Sequence, residues 1–288
     1  MSATPKTILI FLPGGDPQGI RIAELTTRIV QVIEVPRSLL PEFFRMPESD
    51  HVALYFLFGG RDDDEPRVYI GQTGDLRARL SSHNQTKDFW ERAVVLISRT
   101  HSLTQTHGLF LEWHALQAAR AAGRYVDDNR NSGSRPHTPA PLEADCLEVF
   151  DTGRTLLSTL GYPVFEPVAA SDDPSEVPEY FFCRGTGVDG KGLYTSEGFV
   201  VLKGSIGRAA NVPSIIGTGE ERFRQRLIDN GVMTVQGDTV VFTKDHLFGS
   251  PSMAALALRG STSNGWKDWK NADGITLDRL KRTPVETT

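Results

Sequence analysis

Between Val52 and His83 the chain reads VALYFLFGGRDDDEPRVYIGQTGDLRARLSSH, and few local structures other than a hairpin followed by a helix suit such a stretch. VALYFLF is an apolar run of strand length, RDDDE is a charged interruption suited to a loop, and RVYIG is a second strand-like run that returns. Each run carries one tyrosine, Tyr55 and Tyr69. Asp75 can cap a helix running to His83, and Arg79 and His83 lie four residues apart on one face of it, so they point together. AVVLIS at 93–98 reads as a third strand, and residues 106–122 carry a long helical pattern ending at Gly123.

Around this unit the pattern changes. Residues 1–50 alternate as short strands do, TILIFL, IRIAEL and RIVQVIEV, and read as a small β module. The GGDPQG turn between the first two lacks the Gly-Lys-Ser/Thr ending of a phosphate-binding loop. Residues 51–132 hold the hairpin unit, 133–177 a helix and a linker, and 178–288 a separate C-terminal domain in which strands, a charged helix and more strands precede SPSMAALALRG. The expected class is α+β throughout: an antiparallel central sheet flanked by helices, with a β module before it and a second α+β domain after it.

A net charge of −5 opposes bulk attraction to nucleic acid, but Arg67, Arg77, Arg79, Arg92, Arg99, Arg120, Arg124 and Arg130 cluster in the segment that holds the tyrosines. Cys146 and Cys183 show no metal-ligand spacing and read as buried reduced thiols. With only a six-residue apolar stretch near the N-terminus, broken by proline and glycine, the chain reads as cytoplasmic, without membrane contact.

Residues 52–131 resemble the GIY-YIG nuclease family. Ala53-Leu54-Tyr55 stands where that family has Gly-Ile-Tyr, and Tyr69-Ile70-Gly71 matches the second triplet. Arg79 follows ten residues after the second tyrosine and His83 four further; Glu112 occupies the place of the family's metal-binding glutamate, and Asn129, with Asn131 competing, that of its closing asparagine. The resemblance implies phosphodiester hydrolysis with a single divalent ion, Mg²⁺ or Mn²⁺, on Glu112. Arg79 would grip the phosphate, Tyr55 with help from His83 would accept the proton of the attacking water, and Tyr69 would position water or phosphate. Arg77 lies off the Arg79/His83 face and reads as a surface or DNA-backbone contact. His101, His107 and His114 read as surface or capping histidines.

The C-terminal stretch resembles an uncharacterised domain that often follows such nucleases, and its tail resembles the RAMA domain found with restriction enzymes and adenine methylases. The residues concerned are 199–205, FVVLKGS, 250–255, SPSMAA, and Asn264-Gly265-Trp266 with Trp269. This second resemblance implies DNA binding, with Lys203, Ser252, Asn264, Trp266 and Lys267 as contacts, although two tryptophans three apart beside a small-residue helix also describe a core. The expected function is endonucleolytic cleavage of DNA in restriction or defence against foreign or modified DNA, one centre making one nick, so that a double-strand break takes a homodimer or two successive binding events. The alternatives are a catalytically silent binding protein and a nuclease for branched DNA, repair intermediates or RNA.

Overall fold

Strand alternation decides which side chains share a face, and in this chain it builds two cores on either side of one sheet. The computed structural model describes residues 5–60, 66–129, 133–168 and 178–282. The acidic RDDDE stretch and Asn131 lie outside the described residues. The fold is mixed α+β, and the chain divides into two compact units, Met1–Pro167 and Val168–Thr288.

The first unit runs β1 (Ile8–Phe11), β2 (Arg21–Leu25), β3 (Val30–Pro36), α1 (Leu40–Phe43), β4 (Ala53–Gly59), β5 (Arg67–Thr73), α2 (Leu76–Thr86), β6 (Trp90–Ser98), α3 (Gln105–Ala122), β7 (Val126–Asp127) and α4 (Ala140–Thr159). Its seven strands lie in the order β1-β2-β3-β6-β4-β5-β7, and every pairing is antiparallel except β5 with β7. Residues 1–50, read from the sequence as a module of their own, supply three strands to this same sheet, with β3 paired to β6 from Val30↔Ser98 to Pro36↔Arg92. The helix α4, read as part of the segment leading to the linker, buries Cys146, Phe150, Leu156 and Leu157 in the same core.

On β4 the even-numbered Leu54, Phe56 and Phe58 join a core with α3 and α4, while the odd-numbered Ala53, Tyr55 and Leu57 join a second core with Leu40 and Phe43 of α1 and Leu76 and Leu80 of α2. A strand buried on both faces is apolar throughout, as VALYFLF is. Burying one such phenylalanine stabilises the fold by about 1.5–3 kcal/mol. Glu34 of β3 is also fully buried, held by Arg21, Arg92 and the Tyr162 hydroxyl.

The second unit comprises β8 (Tyr180–Gly185), β9 (Val188–Thr195), β10 (Gly198–Val201), β11 (Ile206–Arg208), α5 (Gly219–Asp229), β12 (Met233–Gln236), β13 (Thr239–Phe242), β14 (His246–Phe248), α6 (Pro251–Arg259), α7 (Gly265–Asp268) and α8 (Leu277–Lys281). Its sheet runs β12-β13-β11-β9-β10-β14, with β8 paired to β9. Phe181, Cys183, Phe199 and Val201 pack on Ala254, Ala255 and Leu258 of α6 and on Trp269. Arg224 of α5 is buried and donates to the carbonyls of Ala257 and Arg208 and to Asn211, tying α5 to the last turn of α6. Both cysteines are buried and free. No described helix is long and apolar enough to cross a membrane.

Candidate active site

Tyr55 stands directly opposite Gly71 in the β4–β5 pairing. A Cβ on Gly71 would meet the Tyr55 hydroxyl at 2.5 Å, so the phenol occupies the space its cross-strand neighbour leaves by having no side chain. Being odd-numbered, Tyr55 projects to the α2 side of the sheet. That helix starts at Asp75, whose carboxylate accepts from the Ala78 N–H at 2.9 Å, and it docks through Leu76 and Leu80. Its register then brings Arg79 and His83 onto the phenol.

Arg79 Nε donates to the Tyr55 hydroxyl at 2.9 Å and Arg79 Nη2 to the Tyr69 hydroxyl at 3.3 Å, so one guanidinium bridges both tyrosines. His83 Nε2 lies 2.9 Å from the Tyr55 hydroxyl, and the Tyr69 ring is 4.9 Å from the imidazole, centroid to centroid. Burial pushes the His83 pKa down to about 4, helped by the charges of Arg79 and Lys87, so the imidazole is neutral at pH 7. Arg79 can only donate, and the arrangement that satisfies all three groups has the Tyr55 O–H donating to Nε2.

Burial, followed by repulsion from Tyr69, holds the Tyr55 phenol well above its ordinary pKa, against the opposing hydrogen bond from Arg79. Tyr55 is 0% exposed, whereas Tyr69 is partly exposed. Of the two phenols, Tyr69 is therefore the one open to solvent, and Tyr55 stands behind the guanidinium and fixes its direction. Arg79 acts to lower the Tyr55 pKa, and desolvation outweighs it.

The outer edge of β5 is closed by three different partners in turn. Backbone from β7 takes the first stretch, Val126 N–H donating to Pro66 O at 2.8 Å and Asp128 N–H to Val68 O at 2.9 Å. The Asn129 carboxamide takes the next position, its oxygen accepting from Ile70 N–H at 2.9 Å and its nitrogen donating to Ile70 O at 2.6 Å, much as a backbone amide would. Last, Glu112 of α3 accepts from the Gln72 backbone N–H. Asn129 is thus a clasp on the strand that carries Tyr69, with both ends of its amide engaged.

Glu112 is half-buried and forms no ion pair among the described residues. Desolvation holds its carboxyl above the ordinary range, with the Gln72 N–H and the Arg79 charge only partly opposing it. A desolvated carboxylate without a paired cation suits one hard divalent ion that keeps most of its waters. No group of three or more His, Cys, Asp or Glu side chains able to hold a metal occurs among the described residues.

The remaining expected contacts fall elsewhere. Arg77 Nε donates to Ser49 Oγ at 2.9 Å and lies 3.1 Å from Asp50, so it anchors the 3-10 turn Pro47–Asp50 on α2. In the second unit Ser252 Oγ accepts from Gly265 N–H at 3.2 Å, Trp269 is fully buried and donates to Pro251 O at 3.0 Å, and the Trp266 ring carries the Arg282 guanidinium at 3.5 Å. Lys203, Asn264 and Lys267 are exposed. His107 forms a capping box with Thr104, while His114 packs between Phe110 and Phe150.

Lys87 escaped the sequence reading. Its ammonium sits 4.4 Å from the Tyr69 ring centroid and 2.5 Å from Asp128, and its position four residues after His83, at the C-cap of α2, was the available signal.

Residues 181–281, inside the second unit, match a family model described as a domain of unknown function, DUF4357. Neither the curated proteins nor the solved structures yield a match to the chain.

Proposed function

We propose that this chain is a metal-dependent endonuclease that hydrolyses DNA phosphodiester bonds, acting in the cytoplasm in restriction or defence against foreign or modified DNA. The observation that carries this reading is the single guanidinium of Arg79 bridging the hydroxyls of Tyr55 and Tyr69, with His83 on the first and Glu112 coupled to Arg79 electrostatically. The GIY-YIG resemblance over the same residues supports it.

Phosphodiester hydrolysis builds charge on the equatorial and leaving oxygens, so a site needs a fixed cation facing the phosphate. Arg79 meets that need: two phenols hold its fork in place before any substrate arrives. Tyr69, the more open phenol, would contact the phosphate or the attacking water. Neutral His83 offers Nε2 as the proton acceptor behind Tyr55, and an anionic phosphate nearby would raise its basicity. Glu112 would hold one Mg²⁺ or Mn²⁺, which when bound supplies charge neutralisation and water activation.

The burial of Tyr55 favours a second reading, in which the unit grips nucleic acid without cutting it. One assay separates the two: supercoiled plasmid incubated with Mg²⁺ or with EDTA. The nuclease reading expects nicking that needs the metal and falls by about 10²–10³-fold in Arg79→Ala, the loss typical of one oriented oxyanion donor, together with loss of metal dependence in Glu112→Gln. Binding without metal-dependent nicking, or undiminished nicking by a clean Arg79→Ala preparation, would remove it.

A further inference from the structure

The outer face of β8 is not part of the site described above. Phe181 and Cys183 turn inward to the core, so Tyr180, Phe182 and Arg184 project outward. Lys191 stands opposite Phe182 on β9. On the other side Lys270 faces Phe182 through an isolated antiparallel bridge, with Phe182 N–H donating to Lys270 O at 2.7 Å and Lys270 N–H to Phe182 O at 3.0 Å. Paired residues share a face, so Lys191, Phe182 and Lys270 form one row, an aromatic ring between two lysines.

The rings of this face already carry cations. Lys191 Nζ lies 3.6 Å from the Tyr180 centroid and the Arg184 guanidinium 4.7 Å from that of Phe182. Neither Lys191 nor Lys270 forms an ion pair among the described residues. Arg184 lies 3.6 Å from Asp189 with both side chains more than two-thirds exposed, and Glu179 pairs with Lys281 at 2.8 Å. Lys191 and Lys270 therefore add positive charge to this face, and two aromatic rings half-buried in a sheet offer flat, rigid surfaces between the cations.

We infer that the outer face of β8, with Tyr180, Phe182, Lys191 and Lys270 at its centre, is a docking surface for an unpaired DNA strand. Bases stack on the rings in place of the resident cations, and the displaced ammonium groups then meet the phosphates. A duplex offers no exposed base faces along its length and gains only the charge contribution. The choice of DNA rests on the reading of the chain as a DNA nuclease; the stacking and charge chemistry does not.

The test uses the full chain in EDTA, so that cleavage plays no part, with a fluorescein-labelled mixed-sequence single-stranded DNA, the matching duplex and the matching RNA. The single strand is expected to bind more tightly than the duplex. Phe182→Leu, which keeps an apolar strand residue but removes the ring, should weaken it about tenfold, and Phe182→Trp should restore it. Lys191→Gln with Lys270→Gln should lower the slope of log affinity against log salt by roughly 1.4, about 0.7 per lysine, with an unchanged unfolding midpoint. Equal affinity of wild type and these variants, or a duplex bound as tightly as the strand, would overturn the surface; RNA bound more tightly than DNA would overturn the choice of strand. Strand binding without any plasmid nicking would sink the nuclease reading alone.

Discussion

The site around β5 and α2 and the outer face of β8 present polar side chains in opposite ways. At β5 each group is held by another: Arg79 by two phenols, His83 by one of them, Asn129 by the Ile70 backbone and Glu112 by the Gln72 N–H. At β8 the lysines flanking Phe182 have no carboxylate partner among the described residues, and Lys191 and Arg184 rest on rings. Interlocking fixes direction, which suits a transition state whose charge must meet donors already in place. Loose cations over flat rings adapt, which suits a strand that arrives in many conformations. The first region therefore should answer to mutation with lost structure as well as lost activity, and the second with lost binding alone.

The strongest challenge to that contrast is Gly71→Ala. The new Cβ would fall 2.5 Å from the Tyr55 hydroxyl, so either the phenol leaves Arg79 and His83 or the β4–β5 pairing shifts. The expected outcome is loss of nicking together with a destabilisation of about 1–3 kcal/mol, as for other overpacked cores, read by urea unfolding. A variant with wild-type stability and nicking would show that the site is not interlocked.

Next comes Asn129→Ala. It leaves the Ile70 N–H and C=O without their partner at a part-buried edge, at an expected cost of about 1–3 kcal/mol, with a KM for plasmid that rises more than kcat falls because the strand carrying Tyr69 is loosened. A kcat loss matching that of Arg79→Ala, at unchanged stability, would instead put the amide in the chemistry.

The gentlest probe is pH. The folded His83 pKa of about 4 lies below the unfolded value near 6.5, so between those limits the unfolded chain binds more protons and stability falls as pH drops through that window. His83→Gln should flatten the dependence there, and the imidazole resonances of His83 should titrate close to 4. Titration near 6.5 would mean that the imidazole is open to water and the lock is loose.

Much of this was legible in the residues. The VALYFLF and RVYIG hairpin, the Asp75 cap and the helix ending at Gly123 in a left-handed turn all follow from local rules, and the structure has each of them. The i, i+4 spacing of Arg79 and His83 likewise brings both onto Tyr55. What local pattern could not carry was the company each element keeps. Nothing in RIVQVIEV announces that its partner is β6, more than fifty residues on, and so the first three strands read as a module. The same holds for Tyr55, whose depth depends on α1 and α2 closing over it, and for Asn129, whose clasp exists only because β7 stops two residues short.

The β3–β6 pairing has a consequence for how the protein is made. The β1–β2–β3 meander leaves the ribosome with one flank unpaired, and the strand that covers it is synthesised more than fifty residues later, a delay of roughly 3–10 s at ordinary elongation rates. During that interval Val30, Val32, Ile33 and Val35, all later interior, face water in a nascent chain. A slowly translated stretch before Trp90 would lengthen that exposure, and a chaperone that shields apolar strands would find its substrate there.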